Sequence, residues 1–319
     1  MLGYACGNMG LGCNRVGSTQ YDEVYVPFQP QRDPRRRMID IVAADGAGQV
    51  AALEFGDPSR PLDVLFLHAN GFNASTYRSA LAPLAGTMRV LAIDMRGHGR
   101  TRLPTVAEGH SWMVFAHDLL ALLAALGEIP AVLSGHSMGA TTTLLAVPEI
   151  PAATRPQLVL FDPVIPPREH FQNGPRGPEW DFPLARGALK RRDIFASADE
   201  AFALYQGRGA FQSWQDATLR DFLIDGLTEH PDGTLHLSCS PHWEATNFAH
   251  FGVATAYPVL DYPPAPIRIL RAENQSTCHF QSEPAPAMVQ VETVSGTTHF
   301  IPMERPDCVA AALRELAGR

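Results

Sequence analysis

The sequence predicts an α/β fold in which helices cover both faces of a parallel sheet. Two observations indicate this fold class. Short apolar runs that end in Gly, Pro, Asn or Asp alternate along the chain with segments of helical periodicity. This alternation is typical of parallel strands joined by short, right-handed crossovers. The 319 residues are also 45% hydrophobic and 18% charged, as expected of a globular protein with a substantial core.

The first predicted element is a β-hairpin. Apolar residues alternate at 38–43 and again at 50–55, on either side of Asp45-Gly46-Ala47-Gly48. Further strands are predicted at 63–67, 88–93, 131–134, 157–161, 267–271 and 288–294. Helical periodicity predicts helices near 76–85, 112–126 and 307–317. The pattern therefore supplies enough strands for one large sheet.

Residues 165–256 interrupt the alternation. They are rich in aromatic residues, His and Arg, and they contain helical patterns at 198–205, directly after Ser197, and at 217–227. This patterning is too regular for a linker. We therefore predict an inserted helical cap at 165–256, over the ends of the strands, and a core formed by 38–164 together with 257–319.

Residues 1–37 show neither the period of a strand nor that of a helix. They are rich in Gly, Asn, Gln and Pro, and they end in Arg32-Asp33-Pro34-Arg35-Arg36-Arg37. We expect a poorly ordered N-terminal extension, with the folded domain beginning at Met38, which is also a second candidate for the biological start. The segment lacks the basic and apolar regions of a secretory signal.

Charge and cysteine content restrict the possible partners. A net charge of −8 argues against nucleic acid or an anionic membrane, and no apolar run approaches the ~18 residues of a membrane-spanning helix. The five cysteines include no CxxC pair, which favours a reducing compartment, and we expect a cytoplasmic protein. Neither metal-ligand spacing nor a phosphate-binding glycine loop is present, so no metal or cofactor is predicted.

The sequence Gly135-His136-Ser137-Met138-Gly139 is the strongest functional signal. It follows the apolar run 131–133 and precedes a helical run at 140–146, so it predicts a sharp turn between a strand and a helix. The glycines allow strand and helix to approach closely. Ser137 would stand exposed at this turn as a nucleophile. The Met138 amide would lie at the helix N-terminus, where it can stabilise an anion.

Three further motifs occur in a fixed order around this turn. They are His68-Ala69-Asn70-Gly71, Asp94-Met95-Arg96-Gly97-His98-Gly99, and the segment 296–306 around His299. With them, residues 38–319 resemble the serine hydrolases of the α/β-hydrolase superfamily. The resemblance implies a mostly parallel eight-stranded sheet flanked by helices, with an inserted helical cap.

The resemblance also implies roles for individual residues. His299 is expected to act as the general base that accepts the proton of Ser137. The amides of Met138 and Asn70 are expected to form the oxyanion hole, with Phe72 as a rival to Asn70 because Ala69 stands where a glycine is usual. His68, His98 and His136 are expected to hold the loops in place rather than to react.

The acidic member of the predicted triad has two candidates. The superfamily usually places an aspartate after the strand at 267–271, but here Gln275 occupies that position and carries no charge. Asp162 follows the strand at 157–161, where some relatives place their acid, and Glu273 lies two positions before Gln275. We prefer Asp162, because the loss of the usual carboxylate suggests that the charge has moved to another strand end.

A serine nucleophile argues against the dehalogenases and epoxide hydrolases of this fold, which use aspartate. We expect a hydrolase of carboxylic esters (EC 3.1.1-like) that forms an acyl-enzyme. The alternatives are a carbon–carbon bond hydrolase, a lactonase, a cofactor-free perhydrolase, and a weakly catalytic ligand receptor.

The predicted cap suggests a small acyl substrate with an apolar moiety, because several of its aromatic residues should line a pocket. The candidates are Trp180, Phe182, Phe202, Tyr205, Phe211, Trp214, Phe222, Trp243 and Phe248. Lys190-Arg191-Arg192 is expected to form a solvated face. The oligomeric state is not predicted.

Overall fold

The computed structural model describes residues 34–105, 111–171, 179–251, 255–280 and 286–317. The strands are β1 (Arg35–Ala43), β2 (Gly46–Phe55), β3 (Val64–Leu67), β4 (Val90–Ile93), β5 (Val132–His136), β6 (Gln157–Phe161), β7 (Ile194–Phe195), β8 (Leu227–Glu229), β9 (Leu235–Leu237), β10 (Ile267–Ala272) and β11 (Val289–Val294). The helices are α1 (Arg78–Leu81), α2 (Met113–Leu126), α3 (Met138–Ala146), α4 (Pro183–Ala188), α5 (Ala198–Tyr205), α6 (Asp216–Gly226), α7 (Pro241–Ala249), α8 (Tyr257–Asp261), α9 (Ile301–Glu304) and α10 (Pro306–Ala317).

Eight of these strands form one sheet, in the order β1-β2-β4-β3-β5-β6-β10-β11. β1 pairs with β2 and β2 with β4 in the antiparallel sense, and the remaining pairs are parallel. The predicted α/β fold with a mostly parallel eight-stranded sheet is confirmed. Because β3, β5, β6 and β10 run in the same direction, their carboxyl ends meet at one edge of the sheet.

The sheet separates two layers of apolar side chains. Successive residues of a strand point to opposite faces, and in β3 Phe66 joins a cluster with Val309 and Leu313 of α10. Its neighbour Leu65 joins a different cluster, which contains Phe115 of α2. The central strands are therefore covered on both faces, which explains why their sequences are continuously apolar rather than alternating.

The sequence predicts a helical segment between β6 and β10. In the structure this segment also contains a three-stranded antiparallel sheet in the order β7-β9-β8. Its strands span only two or three residues each, too few to show an alternating pattern. The helix predicted after Ser197 is present as α5, and the Ser197 hydroxyl accepts a hydrogen bond from the Glu200 amide. Within the described ranges, no helix is both long enough and apolar enough to cross a bilayer.

Two boundaries differ from the sequence prediction. β1 begins at Arg35, three residues before the predicted start of the folded domain, because Arg35 and Arg37 pair with the buried carboxylate of Glu54 on β2. The rest of the predicted extension, residues 1–33, lies outside the described residues. The helix predicted near 76–85 is a run of short pieces, in which α1 lies between two 3-10 turns.

A buried ion pair joins the segment between β6 and β10 to the core. Asp225 of α6 is buried and accepts hydrogen bonds from Arg36 at 2.8 Å, from Arg100 at 2.5 Å and from the hydroxyl of Ser75. Burial alone would raise the pKa of Asp225, but these donors outweigh burial and lower it. The carboxylate is therefore charged at neutral pH and ties α6 to β1 and to the loop after β4.

We expect Asp225→Ala to lower the free energy of unfolding by about 2 kcal/mol, because it removes the shared acceptor of three donors, two of which can then turn to water. Urea denaturation at pH 7 would measure the change. Asp199→Ala is the control, since Asp199 pairs with Arg220 at 3.7 Å but is almost fully exposed, and its midpoint should stay that of the wild type. Equal losses in both variants would contradict a special role for Asp225.

Candidate active site

Ser137 occupies the turn between β5 and α3, with φ 56° and ψ −121°. Residues other than glycine rarely adopt this backbone conformation, so the turn is strained. It is also tight, because a Cβ atom added at Gly139 would lie 2.4 Å from the carbonyl oxygen of Leu67 at the end of β3. A residue without a side chain is thus required where α3 meets the sheet, and the turn holds Ser137 at the carboxyl edge of the strands.

The side chains of Ser137, His299 and Asp162 form a continuous hydrogen-bonded row. The Ser137 Oγ atom lies 3.0 Å from His299 Nε2, and His299 Nδ1 lies 2.6 Å from Asp162 Oδ2. His299 follows β11 in the chain and its side chain is 18% exposed, whereas Asp162 follows β6 and its side chain is fully buried. The row therefore runs from a buried charge to a partly exposed imidazole. Ser137 itself is only 7% exposed, less than the sequence predicts.

Asp162 is held by donors from the end of β10 and from the loop that follows it. It accepts hydrogen bonds from the Ala272 amide at 2.8 Å, the Ser276 hydroxyl at 2.5 Å and the Thr277 amide at 2.9 Å. Burial alone would raise the pKa of Asp162, but His299 and these donors outweigh burial and lower it to about 2. Asp162 is therefore a carboxylate at neutral pH.

The second candidate acid does not reach His299. Glu273 is exposed, and its carboxylate accepts a hydrogen bond of 2.8 Å from the Gly296 amide. Gln275 lies in the same exposed loop with φ 54°. The structure thus brings Asp162 rather than Glu273 to His299. Sequence reasoning missed Ser276 and Thr277, which are recognisable only as two hydroxyl residues after the neutral Gln275.

Most backbone N–H groups of the loop after β3 are already bonded. The Ala69 amide donates to the Tyr77 hydroxyl at 2.9 Å, the Gly71 amide to His98 Nε2 at 3.0 Å and the Phe72 amide to the Ala69 carbonyl at 3.1 Å. Within the described part of the chain, the Asn70 amide donates to no protein acceptor. Asn70 is therefore favoured over Phe72 as the loop amide that can meet an oxyanion.

The Met138 amide is available for a different reason. α3 begins at Met138, and the first N–H groups of a helix have no acceptor within the helix. Met138 directly follows Ser137, so its amide lies beside the hydroxyl. Asn70 and Met138 are the two donors that the sequence predicts. Met138 adjoins Ser137, and Asn70 lies in the loop after β3, at the same carboxyl edge of the sheet.

Two buried histidines fix the loop after β3. His68 Nδ1 lies 2.7 Å from the Ala69 carbonyl, and His68 Nε2 accepts a hydrogen bond from the Met95 amide at 2.8 Å. His98 donates from Nδ1 to the Arg96 carbonyl at 2.9 Å and accepts at Nε2 from Gly71. Burial lowers the pKa of both, to about 4 for His98, so they stay neutral and can each donate and accept.

Helix α7 supports the same loop from the other side. The Asn70 side chain donates to the Glu244 carbonyl at 2.9 Å and accepts from the Asn247 amide group at 2.9 Å. Gly71 has φ 77°, and a Cβ atom there would lie 2.7 Å from a carboxylate oxygen of Glu244. Glu244 forms an ion pair with Arg191, so the prediction that Arg191 lies on a solvated face is wrong.

An aromatic cluster lies beside His299. The ring of Phe72 lies 5.0 Å from Trp214 and 6.2 Å from Phe300, which directly follows His299. Phe211 and Phe222 complete the cluster. Of the other aromatic candidates, Trp243 lies away from this cluster and donates to the Arg96 carbonyl at 3.0 Å. Among the described residues, no group of three acidic, His or Cys side chains is arranged to hold a metal ion.

A model of the alpha/beta hydrolase family matches residues 64–312. This match covers well over half of the chain. The chain therefore belongs to the alpha/beta hydrolase family, as the four motifs predict.

The chain spans little more than a third of the length of the curated relatives it matches. It is 31% identical over 108 residues to 2-(acetamidomethylene)succinate hydrolase of Mesorhizobium japonicum, which is 34% of this chain and 38% of the relative. It is 34% identical over 110 residues to the sn-1-specific diacylglycerol lipase ABHD11 of Mus musculus, which is 34% of each. The crystal structure of E-2-(acetamidomethylene)succinate hydrolase superposes on this chain with a TM-score of 0.71 and 20% identity. The superposition covers 89% of this chain and 100% of that structure's chain, and it shows that the two share a fold.

The low pKa of Asp162 predicts how stability depends on pH. The folded value of about 2 lies below the value of ~3.9 for an unfolded Asp, so the ionised carboxylate stabilises the fold fully above about pH 4 and progressively less as the pH falls toward 2. The free energy of unfolding of the wild type should therefore exceed that of Asp162→Asn at pH 5. This difference should narrow below pH 4, by on the order of 2 kcal/mol in all. Urea titrations over this range measure it, and a difference that stays constant down to pH 2.5 would contradict the assignment.

Proposed function

We propose that the protein is a serine hydrolase that cleaves carboxylic esters through an acyl-enzyme. The observation that carries this proposal is the row in which Ser137 Oγ lies 3.0 Å from His299 Nε2 and His299 Nδ1 lies 2.6 Å from Asp162. A hydroxyl becomes a nucleophile when a base accepts its proton, and a carboxylate behind the base stabilises the imidazolium that forms.

The proposed reaction has two halves. His299 removes the proton of Ser137 as its oxygen attacks the ester carbonyl, and the negative charge that develops on the carbonyl oxygen is stabilised by the amides of Asn70 and Met138. His299 then protonates the alcohol that leaves. In the second half, His299 activates a water molecule that cleaves the acyl-enzyme and releases the acid.

Asp162 has the properties that its proposed role needs. Its pKa of about 2 keeps it ionised, and it faces Nδ1, so Nε2 is left free to accept the proton of Ser137. Burial excludes water from the ion pair that forms with the protonated His299, which strengthens their attraction. The low pKa also keeps the proton on His299 rather than on the carboxylate.

The aromatic cluster beside His299 supports an uncharged, apolar acyl group. Phe72, Trp214 and Phe300 pack against one another, and the ring of Phe300 lies 5.5 Å from that of His299. Arg191 lies near the oxyanion loop but is paired with Glu244, so it is not free to bind a substrate carboxylate. The diacylglycerol lipase among the relatives is consistent with ester cleavage by this family. We further propose a reducing compartment such as the cytoplasm, since the described cysteines Cys239, Cys278 and Cys308 are free thiols.

The first test is covalent labelling of Ser137. A fluorophosphonate should label the wild type and leave Ser137→Ala unlabelled, and the wild type should hydrolyse short p-nitrophenyl esters while the variant does not. Cys308→Ser, a change at a free thiol of α10 beside Asp307, serves as the control and should be labelled normally. A wild type that resists the reagent would favour a ligand receptor, and labelling without ester turnover would favour carbon–carbon bond cleavage.

The second test separates the two carboxylates. Asp162→Asn should lower kcat by on the order of 10⁴, because the imidazolium loses its counter-charge and His299 loses its orientation. Glu273→Gln should change kcat less than about threefold, since Glu273 contacts only the Gly296 amide at the surface. Steady-state kinetics on one ester suffice. Comparable losses of kcat in the two variants would contradict the proposal that Asp162 is the carboxylate that assists His299.

The third test concerns the acyl group. Trp214→Leu should lower kcat/KM for a p-nitrophenyl hexanoate about tenfold more than for the acetate, because a longer chain loses more apolar contact. Trp180→Leu is the control, since Trp180 is 39% exposed and contacts the rings of His242 and His250 instead. A loss that is equal for both esters would indicate that Trp214 does not line the acyl pocket.

A further inference from the structure

A buried chain of hydrogen bonds connects three loops of the site. The Ala69 amide lies 2.9 Å from the Tyr77 hydroxyl, the Tyr77 hydroxyl lies 2.9 Å from His136 Nδ1, and His136 Nε2 lies 2.7 Å from the carbonyl oxygen of His299. Ala69 adjoins Asn70 in the loop after β3, and His136 adjoins Ser137. This series of hydrogen bonds therefore begins next to Asn70, passes next to Ser137 and ends on His299, all three of which are residues of the proposed reaction.

The chemistry of the partners fixes the direction of every bond. The His299 carbonyl can only accept, so His136 must carry its proton on Nε2. His136 Nδ1 is then an acceptor and receives the single proton of the Tyr77 hydroxyl. Tyr77 in turn accepts from the Ala69 amide. Every donor and acceptor in the chain is satisfied in one tautomer of His136.

The chain lies in the interior of the protein. Tyr77 and His136 are both fully buried, and Tyr77 packs against Phe66 of β3 with ring centroids 4.8 Å apart. Burial, together with nearby His299, lowers the pKa of His136 to about 3, so His136 stays neutral across the range in which the enzyme would work. A neutral ring beside His299, at 4.9 Å between centroids, also leaves the imidazolium of the reaction unopposed by a second positive charge.

We propose that Tyr77 and His136 are positioning residues that set the distances between the oxyanion loop, the nucleophile turn and the His299 loop. The proposal rests on the serine hydrolase function above. The three loops follow different strands, β3, β5 and β11, and this series of hydrogen bonds is a direct polar link between them. Displacements below 1 Å at such a site reduce the rate of the chemical step.

This role predicts a particular kinetic signature. The rings that Tyr77 contacts are those of Phe66 and His136, and its hydroxyl bonds only within this hydrogen-bonded series among the described residues. Its loss should therefore slow the chemical step and leave ground-state binding unchanged. For Tyr77→Phe, which removes one oxygen and keeps the ring, we expect kcat and the rate constant of fluorophosphonate labelling to fall 10- to 100-fold. KM should stay within twofold of the wild type.

Tyr257→Phe is the matched control. The Tyr257 hydroxyl is also largely buried and donates a hydrogen bond of 2.8 Å, but to the Pro166 carbonyl. This variant loses the same chemical group and should lower the melting temperature by a similar amount, while kcat stays within twofold of the wild type. The comparison separates an effect on geometry from a general loss of stability.

A double-mutant cycle tests whether the two residues act as one unit. His136→Gln keeps an amide N–H that can reach the His299 carbonyl but no longer matches the Tyr77 hydroxyl. If the chain acts as proposed, adding His136→Gln to Tyr77→Phe should slow labelling no further than the slower single variant. His136→Gln alone also decides the matter should Tyr77→Phe fail to fold.

The outcomes separate this inference from the function on which it rests. A labelled wild type together with a Tyr77→Phe variant that is labelled at the wild-type rate overturns the positioning role alone. Fully additive losses in the cycle, or an equal loss of kcat in Tyr257→Phe, overturn it as well. A wild type that is not labelled overturns the proposed hydrolase function and this inference together.

Discussion

The site depends on the burial of one negative charge. Asp162 lies at the end of β6 with no exposed surface, and a carboxylate in such a place is stable only if its oxygens are bonded. Ala272 at the end of β10 supplies one donor, and Ser276 and Thr277 supply two from the loop after β10. His299 supplies a fourth from the loop after β11. Satisfying this charge therefore gathers three strand ends around one point and orients the imidazole toward Ser137.

The same arrangement explains how a neutral Gln275 is compatible with a complete row. The loop after β10 no longer needs to carry the charge, because it provides hydroxyl and amide donors to a carboxylate on the neighbouring strand. β6 and β10 are paired directly, with Phe161 opposite Leu270, so Asp162 is only one residue beyond the pairing. The charge lies at the end of β6 and most of its donors lie on or after β10, and His299 Nε2 is 3.0 Å from Ser137 Oγ.

The sequence was informative where a pattern extends over several residues. The eight strands of the large sheet, α5 after Ser197, and the strand–turn–helix around Ser137 all have a period or a fixed order of glycines. It was not informative where the outcome depends on distant contacts. The choice between Asp162 and Glu273 depends on the pairing of β6 with β10. The burial of Arg191 depends on its ion pair with Glu244. The start of β1 at Arg35 depends on the ion pair of Arg35 with Glu54.

The oxyanion loop shows how these distant contacts act together. His98 binds the Gly71 amide, Tyr77 binds the Ala69 amide, and α7 binds both polar groups of the Asn70 side chain. These partners come from the turn after β4, from the 3-10 turn after β3 and from the segment between β6 and β10. Since the neighbouring amides and the Asn70 side chain are already engaged, the loop cannot turn a different N–H toward the substrate. The orientation of the Asn70 amide is thus set by hydrogen bonds that its neighbours make. Because this donor is already held in place, it would not need to reorganise during the proposed reaction, which is a form of preorganisation.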